Sequence, residues 1–196
     1  MRDFAVDRTK AYSIMLSAAN PPWSRKLPFL ILNSEFHCVA AYRFGQFAAE
    51  LRGRDRVLGT AAVFLHRIAN RWLTHIDHLE ISHRAQIGPG MLLMHRHGVM
   101  IGPVSIGKNC VIHQNVTIGQ RVAGGDQGVP QIGDNVWIGP GAVITGAIEI
   151  GSGVTISAGS VLSKSVPNQC LVAGNPARVI ARAYDNSNMI NFSVPD

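Results

Sequence analysis

The sequence predicts a mainly β protein, a parallel β-helix built from hexapeptide repeats and preceded by a small α-helical region. An aliphatic residue recurs every six positions between Ile81 and Leu162. A small or branched side chain stands four residues beyond most of these, as at Ala85, Cys110, Val136 and Val154, and glycine commonly follows the aliphatic residue directly. A period of six fits neither a helix, at about 3.6, nor a simple strand, at about 2. It fits short strands joined by tight turns, three to a coil, each sending one aliphatic side chain into a narrow prism-shaped core.

The register has three runs. Ile81, Ile87 and Leu93 form the first, and Met100, Ile106, Ile112 and Ile118 the second. Ile132, Ile138, Ile144, Ile150, Ile156 and Leu162 form the third, and no ordinary sandwich would keep phase so long. Two breaks separate the runs. One residue is gained between Leu93 and Met100, and the step from Ile118 to Ile132 is fourteen rather than twelve. An irregularity on a rigid scaffold is where a site is expected.

Taken in order, the chain divides into a helical region over 1–78, a β-helix over 79–182 and a tail over 183–196. Residues 1–19 read as a loose or helical lead-in. Asn20-Pro21-Pro22-Trp23 is a breaker and Pro28 another. A helical pattern starts at about Ser34, and a polar turn at Arg52-Gly53-Arg54-Asp55-Arg56 ends it. A second helix follows over about 58–75, with Leu58, Ala61, Ala62, Leu65, Ile68, Ala69 and Leu73 on its apolar face. The helices are expected to cap the open end of the β-helix. Residues 171–180 are expected as a turn closing the last coil, and the tail beyond Tyr184 as polar and frayed.

The chain has 196 residues, 46% of them apolar, and a net charge of +6. Residues 1–80 hold eleven Lys/Arg against seven Asp/Glu, and 81–196 seven against five. That spread lacks the basic blocks with interleaved aromatics of a nucleic-acid binder. It suits a polyanionic cofactor or an anionic polymer. Cys38, Cys110 and Cys170 match no disulfide or zinc spacing, which points to a reducing cytoplasm. Met1 to Lys10 lacks the apolar run of a signal peptide, and Phe29 to Leu32 is too short to span a bilayer.

Phe36-His37, Ala41-Tyr42-Arg43, the hexads, Gly88-Pro89-Gly90, His95, Val116-Thr117-Ile118-Gly119 and Gly174-Asn175-Pro176-Ala177-Arg178 together resemble the serine acetyltransferase family. That family includes exopolysaccharide O-acetyltransferases of the colanic-acid type. The resemblance covers roughly 20–182 and implies a left-handed coil, a homotrimer or dimer of trimers, and acetyl transfer from acetyl-CoA to a hydroxyl. Such chemistry needs a base, donors for the oxyanion and a slot that aims the thioester. His95 matches the family's catalytic histidine, and an imidazole suits proton abstraction at neutral pH. The family's orienting Asp, fifteen residues earlier, is here Glu80.

Gln114 is expected to stack beside His95, with His97 and His113 lining the acceptor site. The resemblance places the pantetheine arm against Gly119 and Gln120, Gly139-Pro140-Gly141, and Ser157-Ala158-Gly159, where small residues leave the main chain open. Lys164 and Arg178 are candidates for the nucleotide phosphates. No metal is expected.

This chain departs from the family where serine's charges are held. Met94 and Asn20 stand in place of acids, and Gly128-Val129 in place of Arg-His. An unpaired buried charge costs several kcal/mol. The expected acceptor is therefore a sugar or exopolysaccharide hydroxyl, with serine as the alternative. A rival of another class is a metal-dependent hydro-lyase of the γ-carbonic-anhydrase kind, with His95, His97 and His113 on zinc across a subunit boundary. A non-catalytic scaffold is a third.

Overall fold

The structure is a computed structural model that describes residues 2–122 and 128–194. Among the described residues, fifteen short strands build a triangular prism. Its first face stacks β1 (Glu80–Ile81), β4 (Met100–Ile101), β7 (Thr117–Gly119), β10 (Val143–Thr145) and β13 (Val161–Leu162). The second stacks β2 (Gln86–Ile87), β5 (Ser105–Ile106), β8 (Gln131–Ile132) and β11 (Glu149–Ile150). The third stacks β3 (Leu92–Met94), β6 (Val111–His113), β9 (Trp137–Ile138), β12 (Thr155–Ile156) and β14 (Cys170–Gly174), to which β15 (Ala177–Arg182) adds antiparallel.

Every aliphatic rung of this prism is a register partner of the next. Ile81, Ile101, Ile118, Ile144 and Leu162 form one column. Leu93, Ile112, Ile138, Ile156 and Val172 form another. All lie in one buried cluster with Cys110, which is core as its phase implies. Burying such a side chain stabilises by about 1.5–3 kcal/mol. Gly133 keeps the coils close, because a Cβ there would stand 2.7 Å from the Ser152 amide nitrogen.

Two register expectations are corrected. Met100 points outward and is 51% exposed, while Ile101 takes the inward place. The step between Ile118 and Ile132 is a single corner enlarged by eight residues relative to Ile144 and Ile150, because Ile144 pairs with Ile118 and Ile150 with Ile132. Counting in sixes hid the extra length, since eight is one period plus two.

The helices are α1 (Arg2–Met15), α2 (Trp23–Leu32), α3 (Ser34–Arg54) and α4 (Arg56–Asp77). Pro28 lies inside α2 rather than ending it. Phe29 packs edge-on to Tyr12 and against Phe36 at 5.3 and 5.7 Å, so burial outweighs the lost backbone bond. Asn33 caps α3 by accepting from the Phe36 N–H, and Asp55 caps α4 by accepting from Val57 and Leu58. The apolar face expected for α4 is half wrong in direction: Leu73 packs on the core, but Leu58, Leu65 and Ile68 are exposed.

A buried polar cluster ties α1 and α3 to the first coil. Asp7 accepts from Arg43 Nε at 2.7 Å and from the N–H groups of Gly90 and Met91. Arg43 also donates to the carbonyls of Ile87 and Gly88, and Tyr42 to that of Ala85. Lys10, fully buried, donates to Gly90 O and Asn109 Oδ1. Burial pulls its pKa down to about 8.

The C-terminal segment also differs from expectation. Residues 170–182 form an antiparallel hairpin, turning at the cis Asn175–Pro176 bond, instead of a simple closing turn. The tail is not frayed across its described part. It forms α5 (Ser187–Ile190), buries Ile190, and bonds Asn186 Nδ2 to Asn135 O and Phe192 O to Asn109 Nδ2.

Candidate active site

The corner leading from the third face to the first gathers most of the expected site residues. In coils two to four it holds four residues: 113–116, 139–142 and 157–160. In the first coil it holds six, 94–99, because Met94 pairs with His113 and Met100 with Thr117. His97 O accepts from Asn115 N, which aligns His97 with Gln114 and leaves His95 and Arg96 as the two inserted residues. His95 takes a left-handed conformation, φ +56, and its side chain is exposed. The insertion is what lets the imidazole leave the wall.

Above it the corners stack by backbone bonds. Gly141 N donates to Gln114 O, and Gly159 N to Pro140 O. His95, His97, Gln114, Gly139-Pro140-Gly141 and Ser157-Ala158-Gly159 thus share one edge of the prism. Gln114 Oε1 is buried without a hydrogen-bond partner. His113 bonds the Ile138 carbonyl through Nδ1 at 3.0 Å and leans on Trp137 with ring centroids 4.6 Å apart. Burial lowers the His113 pKa, the bond to Ile138 opposes this, and the neighbouring His95 lowers it further. His113 is therefore held partly by the wall, while His95 and His97 face solvent.

Other expected residues stand elsewhere. Gly119 and Gln120 leave the first face at its opposite edge, where Gly119 O accepts from Gly146 N. Lys164 and Arg178 line one pocket of about 340 Å³ at the last coil. Asn20 is exposed and bonded to Lys26 at 2.6 Å. Met94 packs, half-buried, on the apolar cluster of α1 and the third face, beside Leu92 and Val111. Glu80 lies on β1 and lines the cleft between the first coil, α3 and α4. Among the described residues, no hydrogen bond or ion pair joins it to His95.

Sequence reasoning missed one charged pair. Arg96 Nη1 lies 3.6 Å from Glu35 Oε1, both side chains mostly buried. The signal was present, since Glu35 directly precedes the Phe36-His37 motif and Arg96 directly follows His95. Their meeting depends on the insertion, which the period did not place. Among the described residues, no group of three His, Cys, Asp or Glu side chains is placed to hold a metal ion.

A family of bacterial hexapeptide transferases with six repeats matches residues 130–164, and the hexapeptide repeat of succinyl-transferase matches 98–121. The fold and this corner define the class as a hexapeptide-repeat transferase. A serine acetyltransferase of Synechococcus elongatus is 38% identical over 155 residues, covering 70% of this chain and 64% of that one. The structure of a Neisseria gonorrhoeae serine acetyltransferase in complex with serine is 30% identical, with a TM-score of 0.72, covering 92% of this chain and 68% of that one. The structure of a Brucella abortus serine acetyltransferase in complex with coenzyme A is 27% identical, with a TM-score of 0.74, covering 92% and 67%. The chain belongs to the serine acetyltransferase family. It spans less than two thirds of the cyanobacterial relative's length.

Proposed function

We propose that the protein is an acetyl-CoA-dependent O-acetyltransferase in which His95 removes the proton of the acceptor hydroxyl. The observation that carries this reading is the two-residue insertion that presents His95 at the foot of a column of small, backbone-open corners. The hydroxyl oxygen attacks the thioester carbonyl while His95 takes its proton; the C–S bond then breaks, and the leaving thiolate takes that proton back from the imidazolium, so coenzyme A departs as the thiol. A thioester arm lying along Gly139–Gly141 and Ser157–Gly159 would put its phosphates near Lys164 and Arg178. The coenzyme A complex of the Brucella relative supports the co-substrate.

L-serine is the acceptor we assign, in place of the sugar expected from Met94, Asn20 and Val129. The family supports serine, and Arg96, the residue after His95, with Glu35 3.6 Å from it offers a cation and an anion of the kind a zwitterion needs. The family also disfavours the hydro-lyase rival. A second reading, an uncharged hydroxyl-rich acceptor, keeps one observation in its favour: Met94 is committed to an apolar cluster next to the base. Coenzyme A release with L-serine against a glycoside panel at matched concentration decides. Highest catalytic efficiency with L-serine supports the assignment. A glycoside ahead of serine by tenfold or more overturns it.

The first face supports assembly as a trimer or dimer of trimers. Its outward column begins with the exposed Glu80 and continues through Met100, Thr117, Val143 and Val161, three of them apolar and the last three only partly covered. The second face turns out Gln86, Ser105, Gln131 and Glu149, all exposed, and suits solvent. Light scattering checks this: a monomer that still turns over contradicts it. No described helix is long and apolar enough to cross a membrane.

A further inference from the structure

Helix α4 turns an apolar arc away from the protein. Val57, Leu58, Phe64, Leu65, Ile68 and Trp72 are exposed, Val57 at 80% and Trp72 at 67%. At about 100° per residue they fall within roughly a third of the helix circumference. The other side is the packed one: Gly59 lies against the Arg52 backbone, His66 against Gly45, and Leu73 on the core. Arg67 and Arg71 flank the arc and line the broad cleft between α3, α4 and the first coil, together with Arg52, His66 and His75.

Charge says what covers the arc. From Arg56 to Ile76 the sequence has three arginines and no Asp or Glu, and Arg52 and Arg54 stand just before it. A second copy laid on this face would bring the arginines of one helix against those of the other with no Asp or Glu between positions 56 and 76 to neutralise them, since Glu80 lines the cleft and not the arc. An anionic lipid surface meets both needs, with headgroup phosphates for the cations and an acyl boundary for the apolar arc. Tryptophan suits that boundary, and arginine stems reach from it to the phosphates. We propose that α4 docks this protein on the surface of an anionic bilayer, lying flat with Phe64, Leu65, Ile68 and Trp72 inserted and Arg67 and Arg71 on phosphate.

The test is co-sedimentation of the full chain with phosphatidylcholine vesicles and with vesicles containing phosphatidylglycerol. Binding is expected to the anionic vesicles only, and to weaken as salt is raised. Leu65→Ser with Ile68→Ser should lower the partition coefficient by at least about tenfold. Arg67→Gln with Arg71→Gln should lower it by about fivefold per charge removed. These side chains are exposed, so an unchanged thermal midpoint verifies the fold of each variant. Failure to bind anionic vesicles, or equal binding to neutral ones, overturns the proposal. So does a Leu65/Ile68 variant that changes oligomer size in light scattering while its vesicle partition stays at the wild-type value.

Discussion

Two corners of the same prism follow different rules. Between the second and third faces, four residues intervene in each of the first four coils, 88–91, 107–110, 133–136 and 151–154, and the register from Val166 to Leu171 repeats that count in the last. There the side chains are committed to the next coil. Asp134 accepts from Lys108 N, Ser152 from Asp134 N, and Asn168 from Ser152 N. Between the third and first faces the length changes in the first coil, and few side chains there tie one coil to the next, His113 on the Ile138 carbonyl being one that does. His95 and His97 are exposed, and Gln114 Oε1 has no partner. A corner whose polar groups hold up the neighbouring coil cannot change length without breaking that ladder. A corner stacked mainly through backbone bonds is free to take an insertion.

The largest expected effect comes from erasing the difference. Deleting His95 and Arg96 would give the first coil a four-residue corner like those above it. Activity should disappear, with the thermal midpoint held or raised. His95→Ala should by itself cost roughly 10²–10⁴-fold in turnover, and retention of more than a tenth of wild-type rate would remove His95 from the base role. At the constant corner the outcome should invert. Asn109 is buried in a left-handed conformation, φ +63, donates to Asn135 Oδ1 and Phe192 O, and accepts from Lys10. Asn109→Ala should destabilise by about 2–3 kcal/mol in urea unfolding, with turnover per folded molecule unchanged.

Much of this contrast was legible in the sequence, and the limits have physical causes. The hexads fixed the core because one inward side chain per strand is a geometric need of a narrow prism. The break before Met100 marked the enlarged corner that carries His95. Its register could not be read, because Met100 and Ile101 are both apolar and only coil-to-coil pairing tells which faces inward. Pro28 reads as a breaker because local rules do not see Phe29 burying itself between Tyr12 and Phe36. The buried cluster of Asp7, Lys10 and Arg43 was invisible for the same reason: its partners lie 36 to 99 residues away.

Glu80→Gln should have a smaller effect than any change at His95. No hydrogen bond or ion pair links the two side chains, so turnover should fall less than about tenfold, a loss comparable to weak orientation alone. A hundredfold loss would show that Glu80 reaches His95 during turnover.

The smallest effect expected is a slope. Lys10 has a folded-state pKa of about 8 against an ordinary 10.5, so the unfolded chain binds more protons between those values. Stability from this group therefore rises with pH across that window and is lost on descending through about pH 8. Wild type should gain on Lys10→Met as pH is raised from about 8 to about 10 in denaturant titrations. Parallel curves would mean that Lys10 is not held in the charge-averse pocket described.

Strand pairing also gives this molecule a graduated axis. Neighbouring strands lie about 4.8 Å apart, and His95, Gln114, Pro140 and Ala158 occupy four successive coils of one edge. Three steps, about 14 Å, separate the corner of the exposed imidazole from the corner at Ala158 that leads through β13 towards Lys164. Distance along that edge comes only in whole turns of the chain. The spacing of anything bound along it is thereby written as a count of coils, insensitive to substitutions in the wall and altered only when a full turn is gained or lost.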